Sequence, residues 1–546
     1  MTFEKRSIVS SARTVSVLTF LSRVLGVIRD SVIVKTLGAS VFSDIFNMAF
    51  EISNLARRVL GEGALSAFIV PVYHQEEKLG GAARAFRFFN RAVTVMFVIG
   101  LALTVAGIVF AKPLFLVFGG LKYALAGSAD GADYVALGVK MTRIMLPYVL
   151  ILTLVALFMG VCHAHRRFFT PTLGSSGINV TIIAAALLIA NADKAHFAVC
   201  LAWAVVAGVA LRLAIMWPTL HGLGWRLAPE WQWRDPAMKS LFGKMGAAVF
   251  AAGLAQLNIS INLTLANWCG TGSVTYLRYS SRLIEFPLAL LAVPVGTAII
   301  PLISRNYVHG NFDEARSVAR FGMRLTMVLT FPAMAGIWVL GGPALALIFQ
   351  RGEWTPTDTD KTAVALSMYA LGLLPMALAR LLIPLYYGKG DVRTPVKAAA
   401  CALVFNIAAN LIAIQTPLSY AGIALGGSVA ALVNAWLLWR WLRRDLGTLW
   451  DATVGRTALR CGVASLAMAA VCGGALAGWE SLRPATHFVA RAIQVGAISG
   501  LGVIVYFAAA LALRVEDLGD AVGVLRRKRP AGAAPSNADV PPAPME

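Results

Sequence analysis

Between Arg91 and Lys112 the chain runs for 20 residues, Ala92 to Ala111, without a charge. A helix of that length rises about 30 Å, the thickness of the hydrocarbon core of a bilayer. Equivalent uncharged runs recur at Ile144–Cys162, Phe286–Ser304, Leu325–Gln350, Cys461–Trp479 and Ala492–Leu513. Ala398–Trp439 is too long for one span, and QTPLSYAG at 415–422 breaks it. Only 14% of the 546 residues are charged, against about a quarter in a soluble domain. Backbone polar groups in lipid must be satisfied within their own segment. The chain therefore predicts an all-α polytopic membrane protein with about 14 transmembrane helices.

The net charge of +21 is a matter of topology more than of partners. Lys and Arg cluster after alternate spans: Lys5/Arg6/Arg13, Lys78/Arg84/Arg87/Arg91, Arg166/Arg167, Arg226/Arg234/Lys239/Lys244, and onward to the Arg-Arg-Lys-Arg at 526–529. The intervening loops are poor in them or balanced by acids, as in RGEWTPTDTDK at 351–361. The positive-inside rule then places both termini in the cytoplasm, and no nucleic-acid partner is expected. The basic N-terminus lacks an apolar stretch with a small-residue cleavage site, so no cleavable signal is expected. Six cysteines are scattered without CxxC spacing and read as small hydrophobes.

A rough duplication organises the chain. Charged helices ending in IVPVY and later RRFFTPT in the first half are echoed by IIPLIS and DVRTPVK in the second. The Thr-Pro pairs lie 224 residues apart, and Pro71 and Pro301 lie 230 apart. The expected division is an N-terminal lobe of six spans at 1–235 and a C-terminal lobe of six at 236–445, around a central cavity. Two additional helices at 446–515 and a Pro/Ala-rich, largely disordered cytoplasmic tail at 516–546 complete it.

Charges inside such helices need a reason, since each costs about 2.5–3.5 kcal/mol or more at the bilayer centre. They concentrate in three segments. SRVLGVIRD holds Ser22, Arg23, Arg29 and Asp30, with Lys35 beyond; Ser22 and Arg29 share a face, as do Arg23 and Asp30. FSDIFNMAFEISNLARRVLGEGA holds Asp44, Glu51 and Arg58 at heptad spacing, with Asn54 and Arg57 beside them and Glu62 beyond. YLRYSSRLIEFP holds Arg278, Arg282 and Glu285 on one stripe. Lys35, Arg58 and Glu62 also fit as snorkelling helix ends, and Arg23 with Asp30 as a structural ion pair. For Arg29, Arg57 and Arg282 a wet cavity is the favoured reading. The excess of arginine over acid suits a phosphate or diphosphate, which the guanidinium fork grips while keeping its charge. Gly26, the GEGA break, Pro287 and Pro294 are candidate bends between inward- and outward-open states.

Other chemistry is weakly served. There is no GxxxxGK[ST] phosphate loop and no nucleophile elbow, so neither ATP hydrolysis nor acyl transfer is expected. Cys162, His163 and His165 sit beside Arg166/Arg167 at a span end, a poor metal site. The residues alone thus predict a transporter of an anionic substrate, not an enzyme, with no cofactor.

Four stretches carry a resemblance: SRVLGVIRD, SDIFNMAFEISNLARRVLGEGALSAFIVPVY, RLIEFPLALLAVPVGTAIIP and YYGKGDVRTPVK. They resemble the MurJ (MviN) family of lipid II flippases, in the multidrug/oligosaccharidyl-lipid/polysaccharide (MOP) exporter superfamily. The resemblance implies two six-helix lobes and two C-terminal helices forming a groove for the lipid tail. It implies movement of undecaprenyl-diphosphate disaccharide-pentapeptide across the bacterial inner membrane by alternating access. It also implies lipid II, membrane lipids and the cell-wall synthesis machinery as partners. Its functional positions fall on Ser22, Arg23, Arg29, Asp30, Asp44, Arg57, Glu62, Arg282 and Glu285. Among these, Arg29, Arg57 and Arg282 would bind the diphosphate, while the acids would position them and couple the cavity to an ion or to the membrane potential. The alternatives left open are a flippase for another polyprenyl-diphosphate glycolipid and a multidrug/cation antiporter of the same superfamily.

The departures from the family are specific. Glu51 stands where relatives often have Lys, and Ser53 where a Pro precedes Asn-Leu. Ser281 replaces an Asp, Arg278 replaces an aromatic residue, and Arg380 stands where relatives can carry Lys. Glu51 and Arg278 are expected to face each other and compensate, and Arg380 to have a place in the cavity.

Overall fold

The computed structural model describes residues 3–56, 64–126, 128–292, 309–388, 393–482 and 487–515, with isolated positions at 295–296, 299, 303, 305–306, 391 and 518. All its regular elements are helical, with no strand among the described residues. The first half comprises α1 (Phe3–Leu37), α2 (Val41–Ala56), α3 (Ala64–Val109), the short α4 (Ala111–Phe115), a π turn at Leu116–Gly120 and α5 (Leu121–Leu125). It continues through α6 (Ala129–Met145), α7 (Pro147–Ala164), α8 (Phe169–Gly174), α9 (Gly177–Leu188) and α10 (Lys194–Gly222). The second half holds α11 (Pro236–Trp268), α12 (Ser273–Pro287) with a π turn at Leu288–Ala292, α13 (Phe312–Phe349), α14 (Pro356–Leu371) and α15 (Leu373–Gly388). Then come α16 (Arg393–Ala413), α17 (Ser419–Leu446), α18 (Ala452–Leu482) and α19 (Phe488–Ala512).

Among the described residues, nine helices are long and apolar enough to cross a membrane, or ten if α14 and α15, bent by 44° at Gly372, form one span. The expected fourteen is not reached by this measure. Part of the difference is length: α2 and α12, at 16 and 15 residues, are too short to cross by themselves. The second sequence helix was expected to stop at IVPVY. Instead α3 passes through Pro71 and turns only at Gly80–Gly81, where Gly81 takes φ +68, a conformation glycine adopts without steric cost.

Lipid offers little hydrophobic drive for helices to associate, so close approach depends on small residues. At Gly208 of α10 a β-carbon would come within 2.5 Å of the Ile178 backbone on α9. There the Thr181 hydroxyl reaches the Ala204 carbonyl at 2.9 Å.

The buried apolar side chains form two clusters. One fills the first half and extends into both ends of α11, the buried face of α12, Leu345 and Phe349 of α13, Trp354, and the facing parts of α14, α15 and α17. The other joins α13, α15, α17, α18 and α19 within the second half. The first cluster therefore crosses between halves along α11 and α12, and also where α1 ends and α2 begins against the end of α13 and the start of α14. Polar links gather at the same end. Ser31 donates to the Ile348 carbonyl at 2.6 Å, the Glu353 N–H to the Lys35 carbonyl at 2.9 Å, and Lys194 pairs with Glu353 at 2.7 Å. The two halves are sealed at this end.

Candidate functional site

Asp30 is the centre of the site. It lies on α1, is 4% exposed, and holds two arginines. Arg29 donates to Oδ1 through Nη2 at 2.6 Å and Nε at 2.9 Å, while Arg282 of α12 places Nε 2.7 Å from Oδ2. The Arg29 contact is a charge-assisted hydrogen bond, the strong kind at this length, while Arg282 meets Oδ2 as an ion pair without hydrogen-bond alignment. Asn179 of α9 completes the cluster: its carbonyl oxygen accepts from Arg29 Nη1 at 3.0 Å, and its amide donates to the Ser22 carbonyl at 3.0 Å. Ser22 thus takes part through its backbone. Gly26 is not a bend, since α1 runs unbroken through it. It provides clearance: a β-carbon there would sit 3.0 Å from the Arg282 guanidinium.

Arg282 separates two openings. On one side a cavity of about 220 Å³ is lined by Arg23, Asp30, Arg282 and Glu285 with Tyr279 and Phe349. On the other, a cavity of about 320 Å³ is lined by Glu51, Arg278, Ser281, Arg282, Glu285 and Arg380. Pro287 explains the local shape. It has no N–H for the Leu283 carbonyl, and the helix widens into the π turn just beyond Glu285.

Glu51 and Arg278 face each other as expected, at 3.7 Å. Arg278 also lies 5.1 Å from the centre of the Phe50 ring, a contact worth about 1–2 kcal/mol when desolvated. Glu51→Arg and Arg278→Glu alone are each expected to lower transport, and the double exchange to recover most of it. The coupling should be about 1–3 kcal/mol; a double variant no better than either single one would break the assignment.

Asp44 lies elsewhere. It is fully buried at the sealed end, lines neither cavity, and caps α12 from the other half. Its oxygens accept from the Gly272 N–H at 2.6 Å, the Thr275 N–H at 3.0 Å and the Thr275 hydroxyl at 2.7 Å. The N-cap residue is Gly272, which has no side chain, so a carboxylate from α2 takes over the cap and meets the positive end of the helix dipole.

Arg380 of α15 lies in the wall of the larger cavity. Arg57 and Glu62 lie outside the described residues, as does Arg58. The sequence reading missed the asparagines. Asn179 anchors Arg29, and Asn262, lining the larger cavity, accepts from Asn410 at 2.6 Å, which also bonds Asn406 at 3.1 Å. The signal was present as FNIAAN, two amides four apart on an apolar helix.

Two helical halves, sealed at one end by polar links and enclosing an arginine-lined cavity, define a membrane transporter of the alternating-access kind. A multidrug resistance MATE family transporter of the MOP superfamily, solved in an inward-facing conformation, shares this fold with TM-score 0.63 and 14% identity, over 80% of this chain and 98% of that one. The chain belongs to the MurJ family: the family model described as lipid II flippase MurJ matches residues 33–495. It is 33% identical over 530 residues to a probable lipid II flippase MurJ of Vibrio cholerae, covering 95% of this chain and 98% of the relative. It is 34% identical over 436 residues to the lipid II flippase MurJ of Burkholderia cenocepacia, covering 79% and 83%. A structure of lipid II flippase MurJ in an inward closed conformation aligns with TM-score 0.74 and 23% identity, over 92% of this chain and 98% of that one.

Proposed function

We propose that this chain moves lipid II from the inner to the outer leaflet of the bacterial inner membrane, binding its diphosphate among Arg23, Arg29, Arg278, Arg282 and Arg380. The observation that carries the proposal is the charge balance. Among the described residues, four arginines line the two openings, Arg23, Arg278, Arg282 and Arg380, and Arg29 pairs with Asp30 beside them; the five meet three carboxylates, Asp30, Glu51 and Glu285. The surplus of two positive charges matches a doubly esterified diphosphate. The same balance disfavours a cation antiporter, since Asp30 and Glu51 already face arginines and a cation site favours acids without such partners.

The sealed end is the periplasmic one if the positive-inside distribution sets the orientation, with both termini cytoplasmic. The seal then favours loading from the cytoplasm. The division into two six-span lobes is supported by the position of the seal. The apolar outer faces of α18 and α19, with Leu459, Leu466 and Ile504 exposed, offer a groove to the isoprenoid tail. Exporting two negative charges runs with an inside-negative potential, worth about 2.3 kcal/mol per charge per 100 mV. That supports coupling to the membrane potential.

Purified protein in liposomes with fluorescent lipid II is the test. Transbilayer movement that speeds up with an imposed potential supports the reading; movement no faster than in protein-free liposomes overturns it.

A further inference from the structure

A larger cavity, about 860 Å³, lies away from the central site, between the α4–α6 segment and α10. Three cations line it, Lys112, Lys140 and Arg143, with Tyr123, Val139 and Trp203 among its other walls and no acid among the described lining residues. All three cations are exposed, and none forms an ion pair among the described residues. The acids of α6, Asp130 and Asp133, come seven or more residues before Lys140.

Depth identifies the occupant. Lys112 ends the uncharged run that starts after Arg91. Arg143 lies about 20 residues before the end of α7, and Trp203 lies nine residues, about 13 Å of rise, inside the start of α10 at Lys194. Lys112 and Arg143 are therefore each one hydrocarbon thickness from the opposite face, at the headgroup level of the sealed end, with Trp203 deeper. Trp203, 59% exposed, offers its ring below that level, where an acyl chain runs.

We infer that this cavity binds an anionic phospholipid of the outer leaflet, its phosphate held by Lys112, Lys140 and Arg143 and an acyl chain laid against Val139 and Trp203. The choice of leaflet rests on the orientation proposed above. The site connects to the seal: Tyr123, in its wall, donates its hydroxyl to the Asn267 carbonyl oxygen of α11 at 3.2 Å, and the neighbouring Lys122 donates to the Asn267 backbone carbonyl at 2.9 Å. A bound lipid thus steadies the segment through which the first half grips α11.

The test uses full-length protein in nanodiscs with a photoreactive phosphatidylglycerol or phosphatidylcholine, adducts being mapped by peptide mass spectrometry. The phosphatidylglycerol probe should label the peptides around 112–143 and 203 several-fold more than the phosphatidylcholine probe. The K112Q/K140Q/R143Q variant should lose roughly tenfold or more of that labelling, since each cation near an anionic headgroup contributes a several-fold effect. K112R/K140R/R143K should keep it. Equal labelling of wild type by the two probes overturns the inference without any variant, as does unchanged labelling of the glutamine variant. Displacement by inorganic phosphate but not by unlabelled phosphatidylglycerol would mean a free-anion site and would also overturn it. Lipid II movement is not read here, so this result stands apart from the outcome for the proposed function.

Discussion

Asp30→Ala should reduce lipid II export by more than tenfold, with the protein still inserted, since breaking a buried ion pair costs about 3–5 kcal/mol and each 1.4 kcal/mol is a factor of ten. The carboxylate faces Arg29 at 2.6 Å and Arg282 at 2.7 Å, so its loss leaves two guanidiniums together without a shared anion. Like charges then drive Arg282 away from α1, and the diphosphate meets a scattered set of cations instead of a preformed one. Asp30→Asn should fail as well, because it keeps the shape and removes the charge. Once Asp30 is gone, adding Arg29→Ala should cost little more, the two residues acting as one unit. Export assayed in cells alongside membrane protein levels decides it; Asp30→Ala working at the wild-type rate would mean the pair does not organise the site.

Asp44→Ala is expected to loosen the sealed end without touching either cavity. Three hydrogen bonds from the first turn of α12 converge on this buried carboxylate. Hydrogen bonds to a charged group contribute about 1.5–3 kcal/mol each, so losing them should move the closed-to-open ratio of that end by roughly tenfold or more. Lys194 and Glu353 give the readout, being paired across the halves with Glu353 exposed and Lys194 partly so. With the native cysteines replaced, a Lys194→Cys/Glu353→Cys pair should cross-link readily, halt transport, and regain it on reduction. Adding Asp44→Ala should slow the cross-link. Unchanged cross-linking would place the seal elsewhere, in the aromatic contacts of Tyr279 with Phe349 and Trp354.

Much of this was legible in the sequence because two signals are local. Uncharged runs of span length report the bilayer directly, and charges inside otherwise apolar helices report a cavity. Even the Glu51–Arg278 contact followed from two departures of opposite sign. What was not legible is depth and partnership. Asp44 and Glu51 share a face by heptad spacing, yet seven residues are about 10 Å of rise, enough to put one in the seal and the other in the cavity wall. Nothing near Asp44 in sequence announces that it caps a helix beginning at Ser273. Arg29 and Asp30, adjacent and nominally on different faces, meet because the guanidinium folds back along α1. The amides of Asn179, Asn262 and Asn410 escaped notice because they are uncharged, although burying an unpaired amide in lipid carries a comparable penalty.

The most direct test is the leaflet accessibility of lipid II in cells whose only flippase is this protein, as wild type, Arg29→Ala or Arg282→Ala. If the cationic cavity carries the diphosphate, lipid II stays in the inner leaflet in both variants while the proteins remain folded and inserted. Normal appearance of lipid II in the outer leaflet in both would contradict that account, and the arginines around Asp30 would then be structural.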